Sequence, residues 1–127
     1  MPEPFNELYR GLSKDVFLEK AQEQISGGQD ALTCADSYAG RGKPDFVLAF
    51  LLLSDAADEV KRDVFARSYE QRAALSEEKA ASLDQQFHRS FPLIKLGAQH
   101  DRASARLVRQ GKRIEKSEDR EGADDTI

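Results

Sequence analysis

An apolar seam in the middle of the chain constrains the fold more than any other feature. Its residues follow one another in alternating steps of four and three, a spacing that places them on one face of an α-helix. They are Phe46, Phe50, Leu53, Ala57, Val60 and Val64. The seam predicts one long helix packed against partner helices, which in turn indicates an all-α domain.

The long helix is expected to have two different halves. Residues 46–53 are apolar around nearly the whole circumference and should be buried on every side, whereas residues 54–74 are amphipathic. The charged side chains of the second half are expected to face solvent: Asp58, Lys61, Arg62 and Arg67. Pro44 is tolerated in a first helical turn and marks the start. A continuous helix through Ala74 is favoured, and a break near Ser54 and Asp55 is the alternative.

Start and stop signals place two shorter helices before the seam. Ser13 is a suitable N-cap for a helix over residues 14–26, which Gly27 and Gly28 end. Asp30 can cap a second helix, whose apolar stripe stops at the connector 40–42. The two segments predict a helical hairpin.

Two further helices are predicted after the seam. Ser76, followed by two glutamates, has the composition of a helix start. Pro92 lacks a backbone donor and clashes with the preceding turn, so we expect a break or kink near Ser90. The last helix is then expected over residues 93–110, with Gly111 at its end.

These elements predict a single-domain antiparallel helical bundle of about five helices with one long central helix. Residues 1–12 are assigned to an N-terminal arm, in which Phe5 and Leu8 can pin a short helical turn to the core. Residues 13–113 form the bundle, and residues 114–127 form an acidic tail. The tail is too polar to offset the entropy of ordering it, so we expect it to be disordered. A short helical solenoid is the alternative architecture.

The composition bounds the class of protein. Of 127 residues, 39% are hydrophobic and 33% are charged, which favours a soluble helical protein with a thin core. The longest apolar run, 46–53, is far shorter than the roughly 20 residues that span a bilayer, and the amino terminus lacks the features of a secretory signal. The lone cysteine, Cys34, excludes an internal disulfide and fits a reducing compartment. We therefore expect a cytoplasmic protein without a membrane span.

No residue pattern is specific for catalysis, metal binding or nucleotide binding. Asp84 and His88 share one helical face, but a metal site needs three or four ligands and no matching spacing supplies them. Cys34 has no neighbouring positive charge that would stabilise a thiolate. The segment 40–43, Gly-Arg-Gly-Lys, lacks the spacing of a phosphate-binding loop and is interpreted as a connector. We expect no enzymatic activity, no cofactor and no metal centre.

A basic stripe on the last helix is one candidate docking surface. Arg102, Arg106 and Arg109 follow at spacings of four and three, and further cations lie beyond them. Such a stripe could contact phosphates, which makes a nucleic-acid-binding regulator the alternative function. The net charge of −4 and the absence of interleaved aromatic residues count against it. The stripe could instead face solvent, or pair with the acidic tail or the acidic outer face of the long helix.

An apolar cluster around Pro92 is the second candidate docking surface. Phe87, Phe91 and Leu93 crowd a region that a small bundle has difficulty covering, and exposed apolar patches usually bind a partner. Ordinary core packing is the competing interpretation. We predict a small non-enzymatic protein–protein interaction module, an adaptor or regulator that self-associates as a homodimer. Its expected contact residues are Phe87, Phe91 and Leu93 for an apolar contact and Arg102, Arg106 and Arg109 for an electrostatic one.

Overall fold

A computed structural model describes residues 3–83 and 91–114, and within them it contains helices and no strand. A short 3₁₀ turn at Arg10–Leu12 follows the first helix. The six α-helices are α1 (Phe5–Tyr9), α2 (Asp15–Ser26), α3 (Ala31–Gly40), α4 (Pro44–Leu53), α5 (Asp58–Leu83) and α6 (Phe91–Arg109). The predicted all-α bundle is confirmed at this level. Ile114, the first residue assigned to the acidic tail, packs partly buried against the core, and the rest of the tail lies outside the described residues.

The predicted single long helix is wrong, because the chain leaves the helix between α4 and α5. Ser54 adopts an extended conformation with φ −85° and ψ 150°. Its hydroxyl accepts a hydrogen bond from the Ala56 N–H at 3.1 Å, and Asp58 and Glu59 then occupy the first turn of α5. Serine side chains compete with helical backbone bonds in this way. The break falls at the position of the predicted alternative, Ser54 and Asp55.

The break changes which residues of α5 face the core. Phe50 and Val64 of the seam are buried, but Val60 is 42% exposed and Leu53 is 38% exposed. Lys61, which we expected to face solvent, is only 4% exposed, so that expectation is wrong. The seam loses its phase at the break, since helical periodicity holds only within one continuous helix.

The predicted helix start at Ser76 is also wrong, because α5 continues through it to Leu83. Alanines, glutamates and lysine surround Ser76, and these are strong helix formers. A capping side chain matters only where the backbone leaves the helical conformation. The backbone around Ser76 stays helical, so Ser76 caps no helix.

Several other boundaries agree with the sequence. The Asp30 carboxylate caps α3 by accepting the Thr33 N–H at 2.9 Å. Gly42 has φ +66°, and a Cβ there would lie 2.9 Å from the Arg72 Cα, so the turn before α4 requires glycine. By contrast, the N-cap of α2 is Lys14 and not Ser13.

The core of the body is built from aromatic rings. We use "the body" for α1–α4 together with the first half of α5. Phe5 and Tyr9 of the N-terminal segment pack edge-on against Phe65, with ring centroids 5.7 and 5.4 Å from it. Tyr38 stacks on Phe46 at 4.8 Å in a second group of rings. The N-terminal segment is therefore part of the core.

The second half of α5 and α6 form an antiparallel pair, which we call the hairpin. Arg72 contacts Asp101 and the earlier Glu70 contacts the later Arg109, so the two helices run in opposite directions. Among the described residues, the buried apolar side chains along this contact are four alanines and one valine: Ala73, Ala80, Ala98, Ala105 and Val108. Small side chains allow the two backbones to approach closely.

Candidate functional site

The candidate site is the surface of α6, which has three faces. The face toward α5 follows spacings of four and three. Its residues are Ile94, Ala98, Asp101, Ala105 and Val108, of which all but Ile94 are fully buried. At about 100° per residue, the three arginines lie on one side of this stripe, and Leu93 and Leu96 lie on the other.

The basic face is largely engaged by acidic side chains of α5. The Arg109 guanidinium contacts Asp63 and Glu70, each at 2.8 Å. Arg102 forms an ion pair with one acidic residue of α5, Glu77. Arg106 is exposed, and no ion pair is found for it within the described part of the chain. Two of the three predicted contact arginines therefore already have anionic partners.

These ion pairs belong to a wider network on the surface. Arg67 joins Asp36 of α3 at 2.7 Å to Asp63 of α5 at 3.1 Å. Asp63 thus accepts from two guanidinium groups, and hydrogen bonds from Arg109 and then Arg67 hold the pKa of its carboxyl below the usual value despite opposing desolvation. The network ties α3, α5 and α6 together across their exposed sides.

The apolar face of α6 is exposed where it is described. Leu93 is 49% exposed and Leu96 is 61% exposed, although both are large hydrophobic residues. Phe87 and the side chain of Phe91 lie outside the described residues. Leu75 of α5 is 42% exposed, but it lies beside the Gly42 turn and so belongs to the edge of the body. We call Leu93 and Leu96 the leucine surface.

An ion pair with a buried carboxylate fixes α6 on α5. Arg72 donates from Nε and Nη2 to the two carboxylate oxygens of Asp101, at 3.0 and 2.9 Å. The Asp101 side chain is fully buried, and Arg72 also lies over the ring of Tyr69. Sequence reasoning missed this pair. Asp101 is the one acidic residue in the stripe at core spacing, and that position is the signal that could have found it.

A second buried charge lies where the N-terminal segment meets α5. Lys61 donates to the Asn6 Oδ1 at 3.0 Å and lies 5.9 Å from the centre of the Phe5 ring. Burial lowers the pKa of the lysine, while the charges of Asp58 and Asp55 act in the opposite direction. Asn6 in turn donates to the Leu52 carbonyl at 3.1 Å, so the three groups connect α1 to both α4 and α5.

The other residues considered for catalysis or metal binding are the single cysteine, the two histidines and Asp84. Cys34 is buried and donates to the Gln29 Oε1 at 3.3 Å, and burial followed by the charge of Asp30 raises the pKa of its thiol. Among the described residues, no group of three or more potential ligands could hold a metal ion. Asp84 and His88 lie outside those residues, and His100 is exposed on α6.

None of the described helices combines the length and the apolar character that crossing a bilayer requires. No protein-family model, curated protein or solved structure matches this chain. The candidate site is therefore argued from its own geometry.

Proposed function

We propose that this chain is a small, non-enzymatic protein–protein interaction module of the cytoplasm that self-associates through the leucine surface. One observation carries the proposal: two large apolar side chains on one flank of α6 are about half or more exposed. Contiguous exposed apolar surface favours a partner because covering it removes it from water. The side chains of the predicted contact residues Phe87 and Phe91 lie outside the described residues, so the proposal rests on Leu93 and Leu96.

A second copy of the chain is the partner to test first. A two-fold contact uses the same patch on both subunits, and an apolar patch on a straight helix can face its own copy without placing unpaired charges in the interface. The ion pairs of the basic face lie on the opposite flank of α6 and would stay in solvent.

The test is the mass of the chain in solution. We expect sedimentation equilibrium to give a mass that rises toward twice that of one chain as concentration increases, and the double variant Leu93→Lys/Leu96→Lys to remain monomeric. Val16→Lys is the matched control, because Val16 is 51% exposed on α2. A wild-type chain that stays monomeric at high concentration, or a double variant that still dimerises, would contradict the proposal.

Nucleic-acid binding by the basic face stays the alternative prediction. The α5 carboxylates compete with phosphates for Arg102 and Arg109, which is the reason to rank it second. It predicts affinity that falls steeply with added salt and disappears in the triple variant Arg102→Ala/Arg106→Ala/Arg109→Ala. Binding that the triple variant leaves unchanged removes this alternative.

A further inference from the structure

A groove runs along α3, and neither residue of the leucine surface lines it. It has a volume of about 250 Å³. Thr33 and Ser37 of α3 and Arg41 at its C-cap line the groove at four-residue intervals. Gln24 and Gln29 close it from α2 and the following loop. Eight residues of helix give the groove a length of about 12 Å. Its dimensions suit a small molecule rather than a polymer.

The hydrogen bonds inside the groove engage the oxygen atoms of Gln29 and Tyr38 as acceptors, and the N–H and O–H donors of the same two residues stay available to a ligand. The Cys34 thiol donates to the side-chain oxygen Oε1 of Gln29. The side-chain amide Nε2 of Gln24 donates to the Tyr38 hydroxyl oxygen at 3.4 Å. The amide N–H groups of Gln29 and the hydroxyl hydrogen of Tyr38 therefore remain for a ligand, since each group carries both functions. Ser37 adds a further hydroxyl to the lining of the groove.

The cation of the groove is held in place without an anionic partner. The Arg41 guanidinium lies 5.1 Å from the centre of the Tyr38 ring. Tyr38 itself stacks on Phe46 and Phe50, with interplanar angles of 14° and 16°, so the platform under the guanidinium is rigid. Stacking occupies one face of the guanidinium and leaves its N–H edges free to donate. Within the described ranges, Arg41 makes no ion pair, in contrast to Arg102 and Arg109.

Asp30, the N-cap of α3, is held by hydrogen bonds at the start of the helix and does not line the groove. Asp30 influences the Cys34 thiol, but its Oδ2 accepts both the N–H and the hydroxyl of Thr33, at 2.9 and 2.8 Å. No carboxylate is among the residues that line the groove. A fixed cation with neutral donors around it, and no lining acid, is the arrangement that recognises an oxyanion.

We propose that the α3 groove binds a small oxyanion, a phosphate or a carboxylate, with Arg41 as its charged contact and Ser37, Tyr38 and Gln29 as neutral donors. Pockets for drug-sized ligands begin at about 300 Å³, so the ligand is a small anion or the anionic end of a larger molecule. The site is separate from the leucine surface, and its test does not depend on self-association.

Cys34 provides a built-in reporter, because it is the single cysteine of the chain and lies in the groove wall. The measurement is the rate at which neutral iodoacetamide alkylates the native full-length chain at pH 8.5, with inorganic phosphate or succinate replacing chloride at constant ionic strength. A bound anion blocks the approach to the thiol and slows the reaction in a saturable manner. The relative effects of phosphate and succinate identify which oxyanion the groove prefers.

Two variants and a control make the outcome specific. Arg41→Gln should weaken the apparent affinity for the protecting anion by about tenfold or more, and Ser37→Ala should weaken it by about threefold. Arg106→Gln, which removes an exposed arginine elsewhere, should leave it unchanged. Amide chemical shifts of Ser37 and Arg41 followed in the same titrations give a readout independent of the thiol. Protection that is equal in wild type and Arg41→Gln, or absent with both anions while these amide shifts stay constant, overturns the proposal.

Discussion

The body and the hairpin are stabilised by different chemistry. In the body, Phe5, Tyr9, Phe50 and Phe65 are 0 to 1% exposed and pack ring against ring. In the hairpin, the buried apolar residues among those described are four alanines and Val108, and Arg72 forms an ion pair with the buried Asp101. Full burial of a large apolar side chain contributes roughly 1.5–3 kcal/mol, whereas one methyl contributes about 0.8. The hairpin therefore depends on close helix contact and on one well-made ion pair.

The difference also explains why large apolar residues remain exposed on the hairpin. An alanine contact needs only a narrow strip of each helix, so the flanks of α6 are left uncovered. The body also exposes large apolar side chains, namely Val16, Leu53 and Val60 at 51, 38 and 42%, but these come from three different helices, whereas Leu93 and Leu96 share one flank of α6. The predictions below test this contrast, beginning with the largest expected effect.

Truncation in the aromatic core should have the largest effect. We expect Phe65→Ala to lower the free energy of unfolding by about 3–5 kcal/mol, because it removes a buried ring that contacts Phe5 and Tyr9. Val60→Ala, one turn earlier on the exposed side, should change it by less than about 0.5 kcal/mol. Urea denaturation measures both variants, and similar losses would show that the body has no aromatic core.

Breaking the ion pair should have a large effect within the hairpin. Arg72→Met deprives the buried Asp101 carboxylate of its guanidinium, and we expect a loss of about 3 kcal/mol. The exposed Arg102→Met, which also removes an α5–α6 ion pair, should cost at most about 1 kcal/mol. Urea denaturation of the two variants and of Arg72→Met/Asp101→Leu is the measurement. Failure of the double variant to recover stability would contradict the view that the loss comes from leaving the Asp101 charge buried without Arg72.

Alkaline pH should loosen the contact between the N-terminal segment and the end of the hairpin. The Tyr9 hydroxyl donates to the Lys112 carbonyl at 2.6 Å, and burial raises the pKa of Tyr9 from 10.0 to about 12, against a smaller opposing effect of Arg62. The unfolded chain therefore loses this proton first. Stability is intact below pH 10 and declines between pH 10 and 12, by roughly 2–3 kcal/mol.

The control for this pH dependence is Tyr9→Phe, which keeps the ring and removes the titrating group. Its free energy of unfolding should decline less than that of the wild type between pH 10 and 12. A titration followed by tyrosinate absorbance should show one fewer tyrosine that ionises near pH 12. A decline of the same size in both proteins would assign the effect to other residues.

Removal of the buried lysine should have a smaller effect. Lys61→Ala leaves the Asn6 Oδ1 without its donor and removes a packed side-chain stem, so we expect a loss of about 1–2 kcal/mol. Lys20→Ala on the exposed side of α2 should be close to neutral. If thermal denaturation gives equal changes for the two lysines, the burial of Lys61 is not significant for stability.

The sequence predicted the parts of the fold in which local signals act alone. Asp30 as a cap, Gly27 and Gly42 at turns and Pro44 at a helix start all act within a few residues. The apolar run 46–53 identified α4 because a helix buried on all sides requires it. The class of fold followed from these signals.

The rest depends on tertiary contacts that no short pattern encodes. The turn after Ser54 rotates α5, so Lys61 rather than Val60 faces the core. The hairpin is held by alanines and by an acid at a core position, neither of which has a strong apolar signal. Leu93 was predicted as a contact residue and is exposed, whereas Leu96, which is more exposed, was not singled out.

Amide hydrogen exchange at two protein concentrations tests the contrast between body and hairpin most directly. We predict that amides of α4 exchange only with global unfolding at both concentrations. Amides of α6 around Leu93 and Leu96 should exchange faster than those of α4 in dilute solution and become more protected in concentrated solution, because self-association covers them. Equal protection of α4 and α6, unaffected by concentration, would contradict both the weaker hairpin and its proposed role as the docking surface.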